Sequence, residues 1–284
     1  MKYIVRSLIQ WASATTLLLA SLPGSGQTIH IAHCMAGCPT GTSSSNEMIV
    51  RHLYAASINV QSGLADWVAY RVLDDSVGVA SLLARWWQQD DLLLATIRPQ
   101  GSEADGVGFS QPDLRDQPDR PYRINEIVFD SEDRGRLTPL TSFANTPYWD
   151  ELNNLSNMTP IPTALRTGGW ARLEQSINEL AAREGKLFVI SGPLYEISAP
   201  LSTRVGGREA NSIAESPSAF FKIVATPTRY AAFLFDHDLP VTAPYCEQRS
   251  TIQSIEQRSG LNFLPDLAQQ AVADLAVALR CPAN

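Results

Sequence analysis

Arginine, asparagine and carboxylate side chains are concentrated in three short segments of the chain. The segments are Phe129-Asp130-Ser131-Glu132-Asp133-Arg134-Gly135-Arg136-Leu137-Thr138-Pro139-Leu140, Leu155-Ser156-Asn157-Met158-Thr159-Pro160 and Trp170-Ala171-Arg172-Leu173-Glu174. Guanidinium groups supply fixed positive charge, amides supply neutral oxygens, and carboxylates can hold a cation or accept a proton. These three segments are therefore candidates for a binding or catalytic site.

The acids of the first segment allow two interpretations. Asp130, Glu132 and Asp133 could collect a cation beside a turn, because carboxylate oxygens are ligands of hard cations. A solvated acidic turn is the simpler interpretation, and we favour it.

Histidine is the side chain best suited to act as a base near neutral pH, and the chain has four histidines. They are His30, His33, His52 and His237, and each lies outside the three segments. We interpret each of them as a surface or packing residue.

Alternating strand and helix signals surround the three segments. Strands are predicted at residues 124–129, 187–191, 220–225 and 230–235, from runs rich in β-branched and aromatic residues. Residues 95–121 are rich in Gly, Pro and Asp and are predicted to form a long surface loop. The first strand leads directly into the turn that carries Arg136.

A helix is predicted from Trp170, after the pair Gly168-Gly169. Its apolar positions recur at helical spacing: Trp170, Leu173, Ile177, Leu180 and Ala181. Glu174 falls on the flank of this stripe, where its carboxylate can be partly buried and held in one direction.

The amino terminus has the features of a secretory signal peptide. Lys2 and Arg6 precede an apolar stretch, and the small residues Gly24, Ser25 and Gly26 follow it. A membrane anchor is the alternative, but the stretch contains hydroxyl residues and is shorter than the roughly 20 residues that a spanning helix needs. We predict that residues 1–26 are removed and that residues 27–284 form one large domain, secreted or periplasmic, with no membrane contact after cleavage.

Cysteine count and charge agree with an exported chain. The four cysteines all lie in the predicted domain, and an even number favours two disulfides, although three pairings are possible. A zinc site at Cys34 and Cys38 is the weaker alternative, because no second close Cys or His pair follows. Loss of Lys2 and Arg6 changes the formal net charge from −7 to −9, so the chain as a whole does not attract polyanions.

The three segments resemble the active-site region of the secreted DNA/RNA non-specific endonucleases, the Serratia-type nucleases. The resemblance extends from about Cys34 to Cys281, and further motifs contribute to it: Cys34-Met35-Ala36-Gly37-Cys38-Pro39-Thr40-Gly41, Ile190-Ser191-Gly192-Pro193-Leu194-Tyr195-Glu196 and Tyr230-Ala231-Ala232-Phe233-Leu234-Phe235-Asp236. It implies an α+β fold of the ββα-metal type, with a central antiparallel sheet flanked by helices. It also implies the disulfides Cys34–Cys38 and Cys246–Cys281.

The resemblance also implies site residues, and two of them are changed in this chain. Arg136 stands where the family has the histidine base of an Asp-Arg-Gly-His run. Arg166, four residues before Trp170, stands where the family has the asparagine that holds a hydrated magnesium ion. Glu174 corresponds to a glutamate that holds metal-bound water.

At the other family positions, three polar residues are kept and one is replaced by an apolar residue. Arg134 and Asn157 match the family pattern. Arg85 follows Trp67-Val68-Ala69-Tyr70 in the chain, and this position resembles that of a phosphate-contacting arginine in the family. Ile161 stands where the family usually has a glutamine, which removes a polar group from the implied site.

Hydrolysis of a phosphodiester needs a base that takes a proton from water and a cation that holds the developing charge. Arginine cannot act as the base, since its pKa exceeds about 12, and it repels a divalent ion. We therefore expect a secreted pseudonuclease with lost or strongly reduced activity, which binds DNA or RNA weakly and without sequence preference. Mg²⁺ is expected for the family and is not expected to bind here; a homodimer or a protein partner stays open. The alternative is an active metal-dependent endonuclease with altered ligands.

Overall fold

The computed structural model describes residues 30–60, 62–85, 88, 90–93, 135–195, 217–266 and 273–283. Their strands and helices follow in chain order: β1 (Glu47–Val50), β2 (Tyr54–Ile58), β3 (Ala65–Leu73), β4 (Gly135–Arg136), β5 (Met158–Thr159), α1 (Thr163–Thr167), α2 (Gly169–Glu184), β6 (Lys186–Leu194), β7 (Ala219–Ala225), β8 (Arg229–Asp236), β9 (Arg249–Ser250), α3 (Ile252–Ser259) and β10 (Ala273–Asp274). Short 3-10 helices, among them Trp149–Asn153, connect β4 to β5.

One large sheet organises the described residues. Its strand order is β1-β2-β3-β6-β7-β8-β10, and β9 also pairs with β8. The pairs are antiparallel except β8 with β10, which run parallel, so the sheet is mixed rather than purely antiparallel as expected. The short strands β4 and β5 form a separate antiparallel pair beside it.

Both faces of the large sheet are covered, which explains why every residue of β7 is buried and all but Lys222 are apolar. Successive residues of a strand point to opposite faces. Phe220 and Val224 accordingly belong to the apolar cluster that contains the α2 residues Trp170 and Leu173. Phe221 and Ile223 instead belong to the cluster that contains residues of α3. Helices α2 and α3 therefore cover opposite faces.

Helix α2 confirms the helix predicted from Trp170. The predicted apolar stripe is buried against the sheet: Trp170, Leu173, Ile177, Leu180 and Ala181. The helix ends at Gly185, which has a φ of 78° and donates its N–H to the carbonyl of Ala181. This left-handed conformation favours glycine, so the chain turns directly into β6.

Three of the four predicted strands are confirmed, and several other predictions concern residues outside the described ranges. The strands predicted at 187–191, 220–225 and 230–235 are confirmed as β6, β7 and β8. The strand predicted at 124–129, the acids of the 130–133 turn, the 95–121 loop and the 1–26 signal peptide lie outside the described residues. Within the described ranges, no helix is long and apolar enough to cross a membrane.

The cysteines form two disulfides, Cys34–Cys38 and Cys246–Cys281, the pairs that the resemblance implies. Their Cα atoms lie 4.8 and 5.3 Å apart, within the usual range for a bridge. With all four cysteines paired, no thiol is left for a zinc site.

Candidate functional site

A cavity of about 650 Å³ lies beside α2 and brings together four of the residues that the sequence singled out. Its lining includes Arg85, Arg136, Arg166 and Glu174. These residues come from different parts of the chain: the segment after β3, strand β4, helix α1 and helix α2. The volume is within the range of small-molecule and cofactor sites, roughly 300 to 1,000 Å³.

Arg136 is positioned by the β4–β5 pair. It lies opposite Met158, while Gly135 lies opposite Thr159. A Cβ atom on Gly135 would come within 2.3 Å of the side chain of Ile161, so the close approach of the segment that follows β5 requires glycine here. The Arg136 side chain is mostly buried, and its Nη2 donates to Oδ1 of Asn153 at 2.7 Å.

Asn153 is a site-supporting residue that the sequence did not reveal. It is fully buried at the end of the 3-10 helix Trp149–Asn153, and its Nδ2 donates to the carbonyl of Ala84 at 3.3 Å. One amide therefore ties Arg136 to the residue that precedes Arg85. Only tertiary structure brings these segments together, so the sequence carries no local signal for this role.

Arg166 lies in α1, the short helix that precedes α2. Leu165 beside it packs into the core, and Arg166 itself is 7% exposed. Its Nη2 donates to Oγ1 of Thr163 at 3.4 Å, one helical turn earlier. The side chain is therefore held against the helix while it still lines the cavity.

Glu174 is paired with a buried lysine that the sequence analysis did not single out. Nζ of Lys222 donates to Oε1 of Glu174 at 2.7 Å, and it lies 3.9 Å from the centroid of the Trp170 ring. Lys222 is fully buried in the centre of β7, and Tyr70 Oη lies 3.5 Å from Nζ. Lys222 is the one charged residue of the otherwise apolar strand β7, which is a local signal of a buried charge. Its partner lies 48 residues away in sequence, so no local pattern identifies the pair.

Burial dominates the protonation behaviour of this pair. Loss of solvation raises the pKa of Glu174 and lowers the pKa of Lys222, while their mutual attraction opposes both changes. Burial also raises the pKa of Tyr70 well above its usual range, and the Glu174 charge adds to this effect. The pair therefore holds its charges at an energetic cost, which close contact and the Trp170 ring offset.

The cavity has a second carboxylate, Glu179, one turn further along α2. Its Oε2 lies 2.6 Å from Nη2 of Arg280, whose side chain is largely exposed. Both glutamates that line the cavity are therefore paired with a cation that does not line it.

Asn157 is placed away from the cavity by the structure. It is fully buried, and its Oδ1 accepts from the N–H of Thr138 at 2.8 Å. Its Nδ2 donates to the carbonyls of Thr138 and Leu152, both at 3.0 Å. The side chain thus clamps the backbone just after Arg136 and does not line the cavity. Arg134 lies outside the described residues.

The four histidines all lie within the described residues, and none lines the cavity. His33 contacts the carbonyl of Arg51, and His237 contacts Asp238. His52 contacts Glu151 and stacks on Tyr148. Over the described ranges there is also no group of three His, Cys, Asp or Glu residues that could hold a metal ion.

Comparisons with known proteins agree with the motifs. A model of the DNA/RNA non-specific endonuclease family matches residues 35–270. The nuclease of Serratia marcescens is 35% identical over 272 residues, which cover 92% of this chain and 91% of that protein. Nuclease C1 of Cunninghamella echinulata var. echinulata is 22% identical over 252 residues, which cover 84% of this chain and 90% of that protein.

A solved structure supports the fold. A chain in the crystal structure of the EndoG/EndoGI complex superposes with a TM-score of 0.57 at 18% identity, covering 80% of this chain and 89% of that chain. The α+β fold expected from the motifs is therefore confirmed.

Proposed function

Because this chain belongs to the DNA/RNA non-specific endonuclease family, we propose that it is a nucleic-acid-binding member whose phosphodiesterase activity is lost or strongly reduced. One observation carries the proposal: three arginines, Arg85, Arg136 and Arg166, line the same cavity. By the motif correspondence, two of them replace the base and the metal ligand.

The residues that line the cavity do not fit a divalent cation. Guanidinium groups offer N–H donors and no lone pair, and their positive charge repels a metal ion. One oxygen of Glu174 and one of Glu179 already accept contacts from Lys222 and Arg280, respectively. The cavity therefore does not suit magnesium, although metal dependence is general in the family.

The same residues suit a phosphate group. Arginine binds phosphate oxygens through charge-assisted and often bidentate hydrogen bonds. The acidic remainder of the chain provides no general attraction for polyanions, so binding depends on this local cluster and weakens steeply as salt rises. We propose weak binding to DNA and RNA without sequence preference.

The compartment is proposed on separate grounds. The signal peptide predicted at residues 1–26 and the two disulfides support a secreted or periplasmic protein, because disulfides persist in oxidising compartments. A homodimer or a protein partner is compatible with this assignment.

Fluorescence anisotropy with labelled DNA at low salt tests the binding. Arg136→Gln and Arg166→Gln are each expected to weaken binding by about 5-fold or more, because each removes a charged phosphate contact. Arg258→Gln is the matched control, since Arg258 lies on α3 at the opposite face of the sheet. Binding that is absent at low salt, or that falls equally in all three variants, would contradict the proposal.

An active endonuclease with altered ligands is the second candidate, and the full-length similarity to the Serratia marcescens nuclease favours it. Plasmid nicking in magnesium or manganese, with and without chelator, separates the two candidates. The pseudonuclease predicts nicking at least about 100-fold below an active relative, since loss of a general base alone costs about 10² to 10⁴. Chelator-sensitive nicking at the relative's rate would establish the second candidate.

A further inference from the structure

Two aromatic rings form a parallel stack on the surface near the arginine cavity. The ring centroids of His52 and Tyr148 are 4.0 Å apart, and the ring planes differ by 1°. The His52 side chain is 60% exposed and Tyr148 is 44% exposed. A stack that remains this exposed contributes little to the apolar core, so its geometry calls for another explanation.

The His52 ring of the stack is held in one orientation by Glu151. Oε1 of Glu151 contacts Nδ1 of His52 at 2.7 Å, and Oε2 of the same carboxylate accepts the His52 backbone N–H at 3.0 Å. The Glu151 side chain is mostly buried. A ring that is fixed in advance loses less conformational entropy when a ligand stacks on it.

A single short helix links the stack to the cavity. Tyr148 immediately precedes the 3-10 helix Trp149–Asn153, and Asn153 at its other end binds Arg136. A 3-10 helix rises about 2 Å per residue, so the two ends are on the order of 10 Å apart. Gln88, three residues after Arg85, contacts the same helix at Asp150 and Asn153.

We propose that the His52–Tyr148 stack is a platform for an unpaired nucleobase of a strand whose phosphates lie at the arginine cavity. The ligand class is single-stranded nucleic acid, and the inference rests on the proposed function. Proteins that bind single strands combine a basic groove with aromatic rings on which bases stack, and this stacking tolerates any sequence. In a duplex the bases are already stacked and paired, so the platform adds affinity only for an unpaired strand.

Three ligands separate the contributions of the platform and the arginines: a single-stranded oligonucleotide of roughly 12 nucleotides, its duplex, and inorganic polyphosphate. Tyr148→Ala is expected to weaken single-strand binding by about 5-fold or more, given the usual effect of removing a stacking ring. Duplex and polyphosphate affinities should change by less than about 2-fold, because their phosphate contacts remain. Tyr148→Phe keeps the ring and should restore single-strand affinity.

Thermal melting checks that the variants fold. Folding is expected because Tyr148 is exposed, so its substitution leaves no cavity in the core. Unchanged single-strand affinity in Tyr148→Ala, or an equal loss for all three ligands, would overturn the platform. If polyphosphate binding still falls in Arg166→Gln in that case, the arginine cavity stands and only the platform fails. A wild-type chain that binds none of the three ligands at low salt would overturn both proposals.

Discussion

Substitution of Lys222 by methionine is expected to cost much of the stability of the fold. The change keeps the approximate length of the side chain but removes the ammonium group that contacts Glu174 at 2.7 Å and the Trp170 ring at 3.9 Å. Glu174 then remains as a mostly buried carboxylate without its cation. Removal of one partner of a buried ion pair typically lowers the free energy of unfolding by about 3–5 kcal/mol. Loss of the desolvated cation–π contact adds up to about 2 kcal/mol.

This loss is large relative to the whole stability of a domain, which is roughly 5–15 kcal/mol. Urea unfolding followed by circular dichroism measures it. The expected result for Lys222→Met is a lower midpoint at an unchanged slope, because the surface exposed on unfolding stays the same. A loss below about 1 kcal/mol would show that the pair is solvated and that the argument from burial is wrong.

A double substitution supplies the matched control. Lys222→Met with Glu174→Gln leaves no uncompensated buried charge, so it should be more stable than Lys222→Met alone. If the double variant is no more stable than the single variant, the cost comes from packing around the substituted side chain rather than from the stranded charge.

The stability of Lys222→Met should also depend on pH in a defined direction. Burial raises the pKa of Glu174 above its ordinary value of 4.5, and loss of Lys222 removes the charge that opposes this rise. A carboxyl whose folded-state pKa is raised destabilises the fold above that pKa and costs nothing below its unfolded value. The variant should therefore recover stability relative to the wild type as the pH falls from neutral toward the ordinary carboxyl value of 4.5.

Three further predictions concern the site and its support. Arg136→His combined with Arg166→Asn should restore measurable magnesium-dependent nicking of plasmid, while each single change does little, because catalytic groups that act as a unit are non-additive. Failure of the folded double variant to nick would show that the scaffold has also moved away from catalysis. Asn157→Ala should lower the unfolding free energy by about 3 kcal/mol, since buried backbone groups lose their partners; a change within about 0.5 kcal/mol would contradict the clamp. Cys246→Ser with Cys281→Ser should cost about 4 kcal/mol for a bridge that spans 35 residues, measured by thermal or urea unfolding, and an unchanged midpoint would contradict it.

Local periodicity was sufficient to predict α2 and the strands β6, β7 and β8. Trp170, Leu173 and Ile177 repeat at helical spacing, and the strands are dense in β-branched and aromatic residues. The parallel pairing of β10 could not be predicted, because it depends on how the carboxyl-terminal segment returns to the edge of the sheet.

The arginines that line the cavity could be predicted from the sequence, but the residues that hold the lining side chains in place could not. The motifs identified Arg85, Arg136 and Arg166, and these residues line one cavity in the structure. Lys222 was missed although it is the only charged residue of its strand, because its partner lies on another element and no local pattern connects the two. Asn153 was missed for the same reason, since its two contacts come from distant segments.

The ion pair between α2 and β7 bears on how relatives of this protein are compared. Replacement of either Glu174 or Lys222 alone strands the other charge, so substitutions at these two positions should occur together during divergence. A lineage that has stopped cleaving nucleic acid still has a structural reason to keep the acid on this helix. A glutamate at position 174 in a newly found sequence is therefore a marker of the fold, and cleavage must be inferred from other positions.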